Sequence, residues 1–539
     1  MFQSKKNKKN KIYGISLLER FIFWFKNLSF TKHILFIYLL ITFIGSGLLM
    51  LPFSKNTDVH INYIDALFIS ASAFSDTGLV TVNTTETWSI FGQTIIAILI
   101  LVGGIGFFAL KIFIFNILFG KPISFGSRIA LSAERGNIKI GETKDLIKVS
   151  IITLLTIMTF AGFILSIYFY FSPSGFNEEL ANVNNNITGK KLNPTGNWNL
   201  SIRYGIFHSI SAINNAGFDI MGSHSIAPYY KDFFIQFSFI LLFIFGGIGY
   251  PVIYDIKRFF SAKRKGNLFK FSLFTKLSCS AYFIISILGI TTTFIIEVNA
   301  KSQISNPSFW STNFLYFDAT NFTDPPIKSP ITKNQKILAL LFNTLSTRNA
   351  GFSTINFHSL NTATLLLHSM MMFLGSAPSS TAGGIRTTTF AIVCISFWNH
   401  ITGKTTTRAF KRKINSETVK SSYIVTTISL IMILIATLVS LTSLNTNGGQ
   451  IRHGANYNFT SSGEPQYGLG ELLFETSSAF GTTGLSTGLT SLISTPTKIT
   501  FILLMFIGQL GVSSAILAFG NKKQKSRHYK YIEEDIAIG

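Results

Sequence analysis

A short turn that ends in glycine occurs four times along this chain of 539 residues. The four segments read SAFSDTGL, SAINNAGF, LSTRNAGF and SAFGTTGL, and their glycines are Gly78, Gly217, Gly351 and Gly484. Successive glycines are 139, 134 and 133 residues apart. A near-constant period indicates that one structural unit is repeated along the chain. The sequence therefore predicts four copies of one unit.

Each turn lies between long apolar segments, and the whole chain is apolar. Hydrophobic residues make up 47% of the sequence, and the mean hydropathy is +0.40. About 20 apolar residues are enough for a helix to cross roughly 30 Å of hydrocarbon. Each copy contains one such run, then a shorter apolar run that ends at the turn, then another long run.

These runs predict an all-α integral membrane protein. We expect four tandem repeats of span, pore loop and span, which give eight transmembrane helices and four re-entrant pore helices around one pseudo-fourfold pore. The predicted segments are a basic tail and interfacial segment 1–30, repeat 1 at 31–120, a link 121–148, repeat 2 at 149–260, a link 261–275, repeat 3 at 276–400, a link 401–420, repeat 4 at 421–520 and a tail 521–539.

The formal net charge of +23 is distributed unevenly. Basic residues crowd both tails and the three links between repeats, whereas the other connections mix acidic and basic residues. In a membrane protein this asymmetry places the basic segments in the cytoplasm, where they can meet anionic lipid. We therefore expect a multi-pass protein of the plasma membrane with both termini in the cytoplasm, and no nucleic-acid partner.

The glycine turns are candidates for an ion-binding site. Non-helical backbone at membrane depth is costly unless it lines a water-filled path. Four such turns can direct backbone carbonyls at one axis, where carbonyls replace the hydration shell of a monovalent cation. Glycine tolerates the backbone angles that this requires. The alternative is close helix packing through small residues, which is the interpretation that we favour for two glycine groups inside long spans, Gly103-Gly104-Gly106 and Gly246-Gly247-Gly249.

The second span of repeat 3 contains a polar interruption, MMFLGSAPSSTAGGIRTTTF. Proline and paired glycines break helices, so the pattern predicts a polar loop within the membrane on the cytoplasmic side of the filter. Its functional interpretation is a gate, and the alternative is a static kink. The residues assigned to it are Gly375, Ser376, Ser379, Ser380, Thr381, Gly383 and Gly384.

Four charged residues lie close to the turns. Asp76 and Asp219 can either concentrate cations at the mouth of a pore or accept backbone amides. Arg348 and Glu475 lie on the short helices of repeats 3 and 4, where we expect an internal charge pair that braces the pore loops.

The fourfold plan, the turns SDTGL, NNAGF, STRNAGF and AFGTTGLSTG, and the break GSAPSSTAGGIRTTTF resemble the Trk/Ktr/HKT superfamily of potassium transporters over nearly the whole chain. The chain looks most like KtrB, the membrane subunit of bacterial Ktr systems. The resemblance implies K⁺ uptake across a bacterial plasma membrane, K⁺ bound at the filter glycines, a homodimer, and a cytosolic KtrA-type ring that binds nucleotide. It implies no cofactor in this chain. The implied filter residues are Thr77, Gly78, Ala216, Gly217, Ala350, Gly351, Thr483 and Gly484.

One position departs from the family. The last span usually carries an arginine in a stretch like FIGRxGP, and this chain reads FIGQLGV with Gln509. In the family that arginine is thought to oppose cation flow beneath the filter, so its replacement implies a weaker barrier. Arg386 matches another basic position of the family and could partly compensate. We assign both residues to the gate.

The most specific prediction is passive, gated K⁺ uptake driven by the membrane potential. The alternatives are symport of K⁺ with Na⁺ or H⁺, a Na⁺-permeable member of the same superfamily, and a membrane scaffold that transports nothing. An enzyme is not expected, because the sequence contains no HExxH motif and no GxSxG motif.

Overall fold

The computed structural model describes residues 30–56, 59–106, 143–173, 193–222, 225–300, 309–317, 327–446 and 468–512. Most of the predicted segments 1–30 and 121–148, and all of the tail 521–539, lie outside these residues. The described chain is predominantly helical. It also contains two small antiparallel sheets that the all-α prediction did not include, β1 (Phe314–Phe317) with β2 (Ile327–Pro330) and β3 (Arg408–Ala409) with β4 (Arg412–Lys413).

The helices follow the predicted order of long, short and long segments, with additional breaks. In the first half of the chain they are α1 (Phe30–Met50), α2 (Tyr63–Phe74), α3 (Thr84–Thr87), α4 (Ile90–Ile105), α5 (Thr143–Phe171), α6 (Trp198–Ile213), α7 (Phe233–Gly247) and α8 (Tyr250–Arg264). In the second half they are α9 (Leu273–Asn299), α10 (Lys333–Ser346), α11 (Thr362–Phe373), α12 (Thr387–Ile401), α13 (Ser416–Thr446), α14 (Leu469–Gly481) and α15 (Thr495–Leu510).

Three helices are long and apolar enough to cross a membrane, within α5, α9 and α13, and the bent pair of α7 and α8 makes a fourth candidate. Shorter apolar helices of 10–17 residues include α4, α11, α15 and most of α1. The long helices expose large apolar side chains, for example Phe163 in α5, Leu288 in α9 and Leu434 in α13. Apolar surface of this extent fits a lipid environment. Eight spanning helices remain a prediction.

The second apolar run of repeat 2 is bent rather than straight, by 97° between α7 and α8. Gly249 has a φ of 88°, and Pro251 lies in the first turn of α8. A left-handed glycine ends one helix and a proline starts the next, so local backbone preferences account for the bend. Helices α4 and α15 end in the same way, before Gly106 and Gly511, each with a φ of 85°.

Four helices, α2, α6, α10 and α14, lie towards the centre and are called the inner helices. Each packs against the long helix before it, as α1 packs on α2 and α5 packs on α6. Each also receives the second apolar helix of the preceding unit: α4 on α6, α7 on α10, α11 on α14, and α15 on α2. The last of these contacts joins the fourth unit to the first, so the described helices of the four units form a closed ring.

An ion pair strengthens this closing contact. The ammonium of Lys498 in α15 lies 2.6 Å from a carboxylate oxygen of Asp65 in α2, and both side chains are largely buried. Asp65 is in the first turn of α2, where a negative charge is favourable to the helix dipole.

Candidate functional site

The four inner helices each lead into one of the four glycine turns, the segments 75–79, 214–218, 348–352 and 481–485. Their glycines all lie in the left-handed region, with φ of 89° at Gly78, 67° at Gly217, 80° at Gly351 and 90° at Gly484. Few residues other than glycine adopt these angles without cost. The four predicted glycines are therefore required by the same backbone geometry.

The four turns meet one another in cyclic order. A Cβ added at each glycine would contact the carbonyl oxygen of the residue that precedes the next glycine. The carbonyl of Ala216 borders Gly78, that of Ala350 borders Gly217, that of Thr483 borders Gly351, and that of Thr77 borders Gly484. All eight predicted filter residues are thus brought together, and their backbone forms one closed ring.

The position two residues before each glycine is also left-handed, which we did not predict. Its occupants are Asp76, Asn215, Asn349 and Thr482, with φ between 49° and 67°. Asparagine and aspartate are enriched at such angles outside glycine. The signal was present in the sequence, because three of the four turns carry Asp or Asn at this position. We call these four residues the second-turn residues.

Backbone bonds hold each turn to its own inner helix. The amides of Thr77, Ala216 and Thr483 donate to the carbonyls of residues five positions earlier, over 2.8–2.9 Å. Ala350 instead donates to the carbonyl of Ser346, four positions earlier. The C-terminal ends of the four inner helices therefore point at the ring, and the partial negative charge of a helix C-terminus favours cations there.

The predicted polar loop, residues 374–386, lies between α11 and α12 and is almost completely buried. Ser376 and Thr381 have no exposed surface, and Ser379 and Ser380 have 5% or less. Ser379 and Gly384 adopt positive φ, of 62° and 73°. The predicted break in this apolar segment is therefore present, with α11 ending at Phe373 and α12 starting at Thr387.

The polar loop contacts two of the glycine turns directly. The amide of Gly383 donates to the hydroxyl of Thr482 over 2.8 Å. The Ser376 hydroxyl lies 3.3 Å from the carbonyl oxygen of Arg348 and 3.4 Å from the side-chain oxygen of Asn349. The loop thus bonds to second-turn residues of units 3 and 4.

The polar loop also bonds to the break between α7 and α8. The amides of Ala377 and Thr381 donate to the carbonyls of Gly247 and Gly246, over 3.2 and 3.4 Å, and the amide of Tyr250 donates to the carbonyl of Ser379 over 3.1 Å. Backbone groups that the helix break leaves without a partner inside the helix are thereby hydrogen-bonded to the polar loop. The close-packing interpretation of the two glycine groups holds at Gly103 and Gly246, where a Cβ would contact the ends of α2 and α6, but it missed the breaks at Gly106 and Gly249.

Arg348 fastens the polar loop rather than pairing with Glu475. Its guanidinium is fully buried and donates to the carbonyls of Met371, Leu374 and Gly375. Its Cζ also lies 5.1 Å from the ring centre of Tyr282. The expected charge pair is wrong, because both groups have other partners.

The Glu475 carboxylate orders the segment that follows the fourth glycine turn. It accepts from the hydroxyls of Ser486, Thr487 and Thr490 and from the amide of Thr487, over 2.6–3.0 Å. The sequence LSTGLT supplies these donors immediately after Gly484. Hydroxyl and amide donors of this kind compensate a buried carboxylate without a cation.

Gln509 in α15 and Arg386 at the end of the polar loop are in contact. The Gln509 side-chain amide donates to the Asp76 carboxylate over 3.1 Å. The Arg386 guanidinium donates to the backbone oxygen of Gln509, also over 3.1 Å, and to the carbonyl of Ala382. Asp219, by contrast, accepts the amide of Met221, which agrees with the amide-accepting interpretation of that residue.

The model of one protein family matches residues 31–529 of the chain, and its description is cation transport protein, TrkH. The match covers most of the sequence. The chain therefore belongs to the TrkH family of cation transport proteins.

Relatives agree with this assignment. The chain is 33% identical to an uncharacterised cation transporter of Mycoplasma pneumoniae, over 95% of this chain and 96% of that protein. It is 31% identical to the Ktr system potassium uptake protein D of Bacillus subtilis, over 93% of this chain and 95% of that protein. It is 29% identical to the potassium/sodium uptake protein NtpJ of Enterococcus hirae, over 93% and 95% of the two chains.

A solved structure shares the fold. The potassium transporter TrkH from Vibrio parahaemolyticus matches with a TM-score of 0.61, over 92% of this chain and 86% of that chain, at 14% sequence identity. The family and this neighbour are transporters and not enzymes, so the chain is a membrane protein that transports cations.

Proposed function

We propose that the chain takes up K⁺ through a channel-like pore whose filter is the ring of four glycine turns. This proposal rests on the cyclic contact between the four turns. Each of the glycines borders the backbone carbonyl that precedes the glycine of the next turn, for Gly78, Gly217, Gly351 and Gly484. A ring of carbonyls can replace the hydration shell of a monovalent cation. In this proposal K⁺ binds at the filter glycines, and the four units form eight spans and four re-entrant loops around a pseudo-fourfold axis.

The polar loop is the proposed gate. It is buried beneath two glycine turns and bonds to the second-turn residues Asn349 and Thr482. A loop with two left-handed residues and polar side chains can exchange its hydrogen-bond partners as it moves. The gate residues are those named from the sequence, with Arg386 and Gln509 on the side of the loop that faces α15.

The membrane potential drives uptake in this proposal. One elementary charge that crosses 100 mV gains roughly 2.3 kcal/mol, which supports accumulation of several tens-fold at about 1.4 kcal/mol per decade. We place the chain in a bacterial plasma membrane with both termini in the cytoplasm. We also propose a homodimer with a cytosolic KtrA-type ring that binds the nucleotide, so that the chain itself needs no cofactor.

A Na⁺-permeable transporter is the second candidate. One relative is named a potassium/sodium uptake protein, which favours this alternative over coupled symport or a scaffold. Gly78 argues against it, because the resemblance to the Trk/Ktr/HKT superfamily implies that plant members which admit Na⁺ preferentially carry serine in the first turn, where this chain carries glycine.

The test compares K⁺ and Na⁺ flux into proteoliposomes under an imposed potential for the wild-type chain and for Gly78→Ser. A serine Cβ at this position would contact the carbonyl of Ala216, so the ring must widen. We expect K⁺ flux to dominate in the wild type and Na⁺ flux to rise in the variant. Equal K⁺ and Na⁺ flux in the wild type would support the second candidate. Absence of flux in a folded protein, with the cytosolic partner present, would reject transport through this ring.

A further inference from the structure

Helix α8 and the loop after it, residues 250–272, project from the inner end of α7 and are called the α8 ledge. One face of the ledge is anchored. Val252 and Asp255 are buried, and the Asp255 carboxylate accepts from the hydroxyl of Thr275 over 2.6 Å and from the amide of Ser272 over 3.2 Å. The ring of Phe259 stacks on Phe271 with centroids 5.4 Å apart. The ledge is therefore a defined structure.

A second surface of the ledge, beside the anchored one, presents apolar side chains to the surroundings. Ile256 and Phe260 are four positions apart and so share one face of α8, with exposed fractions of 36% and 55%. Leu268, in the loop, is 102% exposed. A leucine that extends completely from the surface has no contact in the described chain that accounts for it, and exposed apolar groups of this kind mark interaction sites.

The same face is strongly basic. Lys257, Lys263 and Arg264 in α8 are exposed, as are Lys265 and Lys270 in the loop that carries Leu268. The one acidic residue between positions 250 and 272 is Asp255, which is buried on the anchored face. The exposed face of the ledge is thus apolar and cationic, with no acidic group to offset the charge.

The direction of α8 identifies the partner. It is bent by 97° from α7, an apolar helix that exposes Phe237 and Leu241. A helix at right angles to such a segment, at its end, runs along the membrane surface. Helices that lie there combine basic residues with Phe and Leu on the exposed face, and they bind anionic lipid through both.

The ledge is connected to the polar loop at its first residue. Tyr250 begins α8 and donates its amide to the carbonyl of Ser379, while Gly246 and Gly247 accept amides of the same loop. The Tyr250 hydroxyl also donates to the carbonyl of Ile105 over 2.9 Å. A displacement of α8 would therefore break bonds to the polar loop before it affected other contacts of that loop.

We propose that the α8 ledge binds the headgroups of anionic phospholipids, with Leu268 and Phe260 inserted among the acyl chains, and that this contact holds the polar loop in its described position beneath the glycine turns. The second part rests on the proposed gate. The first part is independent of transport, since it concerns only where the ledge lies.

The experiment places an environment-sensitive NBD dye on Leu268→Cys, in a full-length chain whose native cysteines are replaced by serine at Cys279 and Cys394. The protein is reconstituted into vesicles of phosphatidylcholine with or without phosphatidylglycerol. We expect a blue shift and a several-fold rise in emission when phosphatidylglycerol is present. The variant with Lys257→Gln, Lys263→Gln and Arg264→Gln should lose most of this rise.

The matched control removes three charges from another exposed basic segment, the β3–β4 turn, through Lys411→Gln, Arg412→Gln and Lys413→Gln. It should keep the rise in emission. Emission that stays water-like in both kinds of vesicle would overturn the proposal and assign the ledge to a protein partner. An equal loss of the rise in both triple variants would also overturn it, because binding would then be a property of total charge.

Flux of Rb⁺, a transported stand-in for K⁺, tests the second part. In vesicles with phosphatidylglycerol, the α8 triple variant should pass Rb⁺ several-fold faster than the control variant. Equal rates, together with the expected dye result, would overturn the coupling to the polar loop and leave the lipid contact intact. If no variant moves Rb⁺ even with the cytosolic partner present, the proposed transport fails, while the dye measurement still decides whether the ledge binds lipid.

Discussion

Gln509 in the last described helix donates its side-chain amide to the carboxylate of Asp76 in the first glycine turn, with Nε2 3.1 Å from Oδ2. The contact joins the fourth unit to the first. The ion pair of Lys498 with Asp65, between α15 and α2, joins the same two units. An amide satisfies a carboxylate oxygen without cancelling its charge. The neutral amide of Gln509 brings no positive charge to Asp76, which lies two residues before Gly78.

Replacement of Gln509 by arginine should weaken cation binding at the ring. A guanidinium at this position would form a charge-assisted pair with Asp76 and cancel its field. We expect the KM for Rb⁺ uptake by proteoliposomes to rise about tenfold, which corresponds to about 1.4 kcal/mol. Asp76→Asn should give a similar rise, and Gln509→Met, which removes the bond and keeps the carboxylate, should change KM less than either. An unchanged KM in both Gln509→Arg and Asp76→Asn would show that the Asp76 charge does not act on the ion.

Gly217→Ala should damage the ring more than it damages the fold. Its Cβ would lie 2.7 Å from the Cα of Gly351. The left-handed backbone conformation costs alanine a further 1–2 kcal/mol, roughly. We expect a loss of at least about one decade in the ratio of K⁺ to Na⁺ flux, at about 1.4 kcal/mol per decade.

The matched control for Gly217→Ala is Gly47→Ala in helix α1. A Cβ at Gly47 has nothing within 4 Å, and alanine is favoured over glycine in a helix by about 1 kcal/mol. This variant should keep the wild-type selectivity and should be at least as thermally stable as the wild type. If a folded Gly217→Ala protein kept the wild-type ratio of K⁺ to Na⁺ flux, the contact between Gly217 and Gly351 would not determine ion selectivity.

The sequence predicted the inner helices and the glycines well, because both depend on local signals. The shorter apolar run that ends at the first turn is observed as α2, Tyr63–Phe74, and the glycine turns needed only the recurring glycine and its period. The polar loop was predicted for the same reason, since proline and paired glycines interrupt an apolar run regardless of what surrounds them.

The partners of charged residues could not be predicted in this way. Arg348 and Glu475 are of opposite charge, which suggested a pair. Instead, Arg348 donates to backbone carbonyls and Glu475 accepts from hydroxyls and an amide, and folding brings these partners close. The break at Gly249 was missed because GGIG within an apolar run also fits close helix packing. The two functions occur together there, since Gly246 packs and Gly249 breaks the helix.

Arg348→Gln should loosen the polar loop. Its guanidinium donates to three carbonyls at the end of α11 and the start of the loop, and a shorter neutral side chain would leave most of them without a donor. Loss of buried bonds to a charged group costs roughly 1.5–3 kcal/mol. We expect a lower thermal midpoint in detergent and a faster basal Rb⁺ flux in liposomes.

The control for Arg348→Gln is Arg408→Gln, which removes an exposed arginine from strand β3. It should leave both the thermal midpoint and the basal flux unchanged. A slower flux in Arg348→Gln with an unchanged thermal midpoint would contradict the fastening role, because the arginine would then assist the ion rather than hold the loop.

The ion pair between Lys498 and Asp65 should stabilise the closure of the ring. Its atoms are 2.6 Å apart, and the two side chains are 13% and 9% exposed, so the pair is shielded from solvent more than a surface pair. Removing one partner leaves a poorly solvated charge, whereas removing both leaves none. A double-mutant cycle with Lys498→Met and Asp65→Asn tests this. We expect the two single variants, summed, to lower the free energy of unfolding by more than the double variant does, with a coupling of about 1–3 kcal/mol. Thermal unfolding in detergent measures the cycle, and strictly additive effects would show that the packing of α15 on α2, rather than this pair, holds the first and last units together.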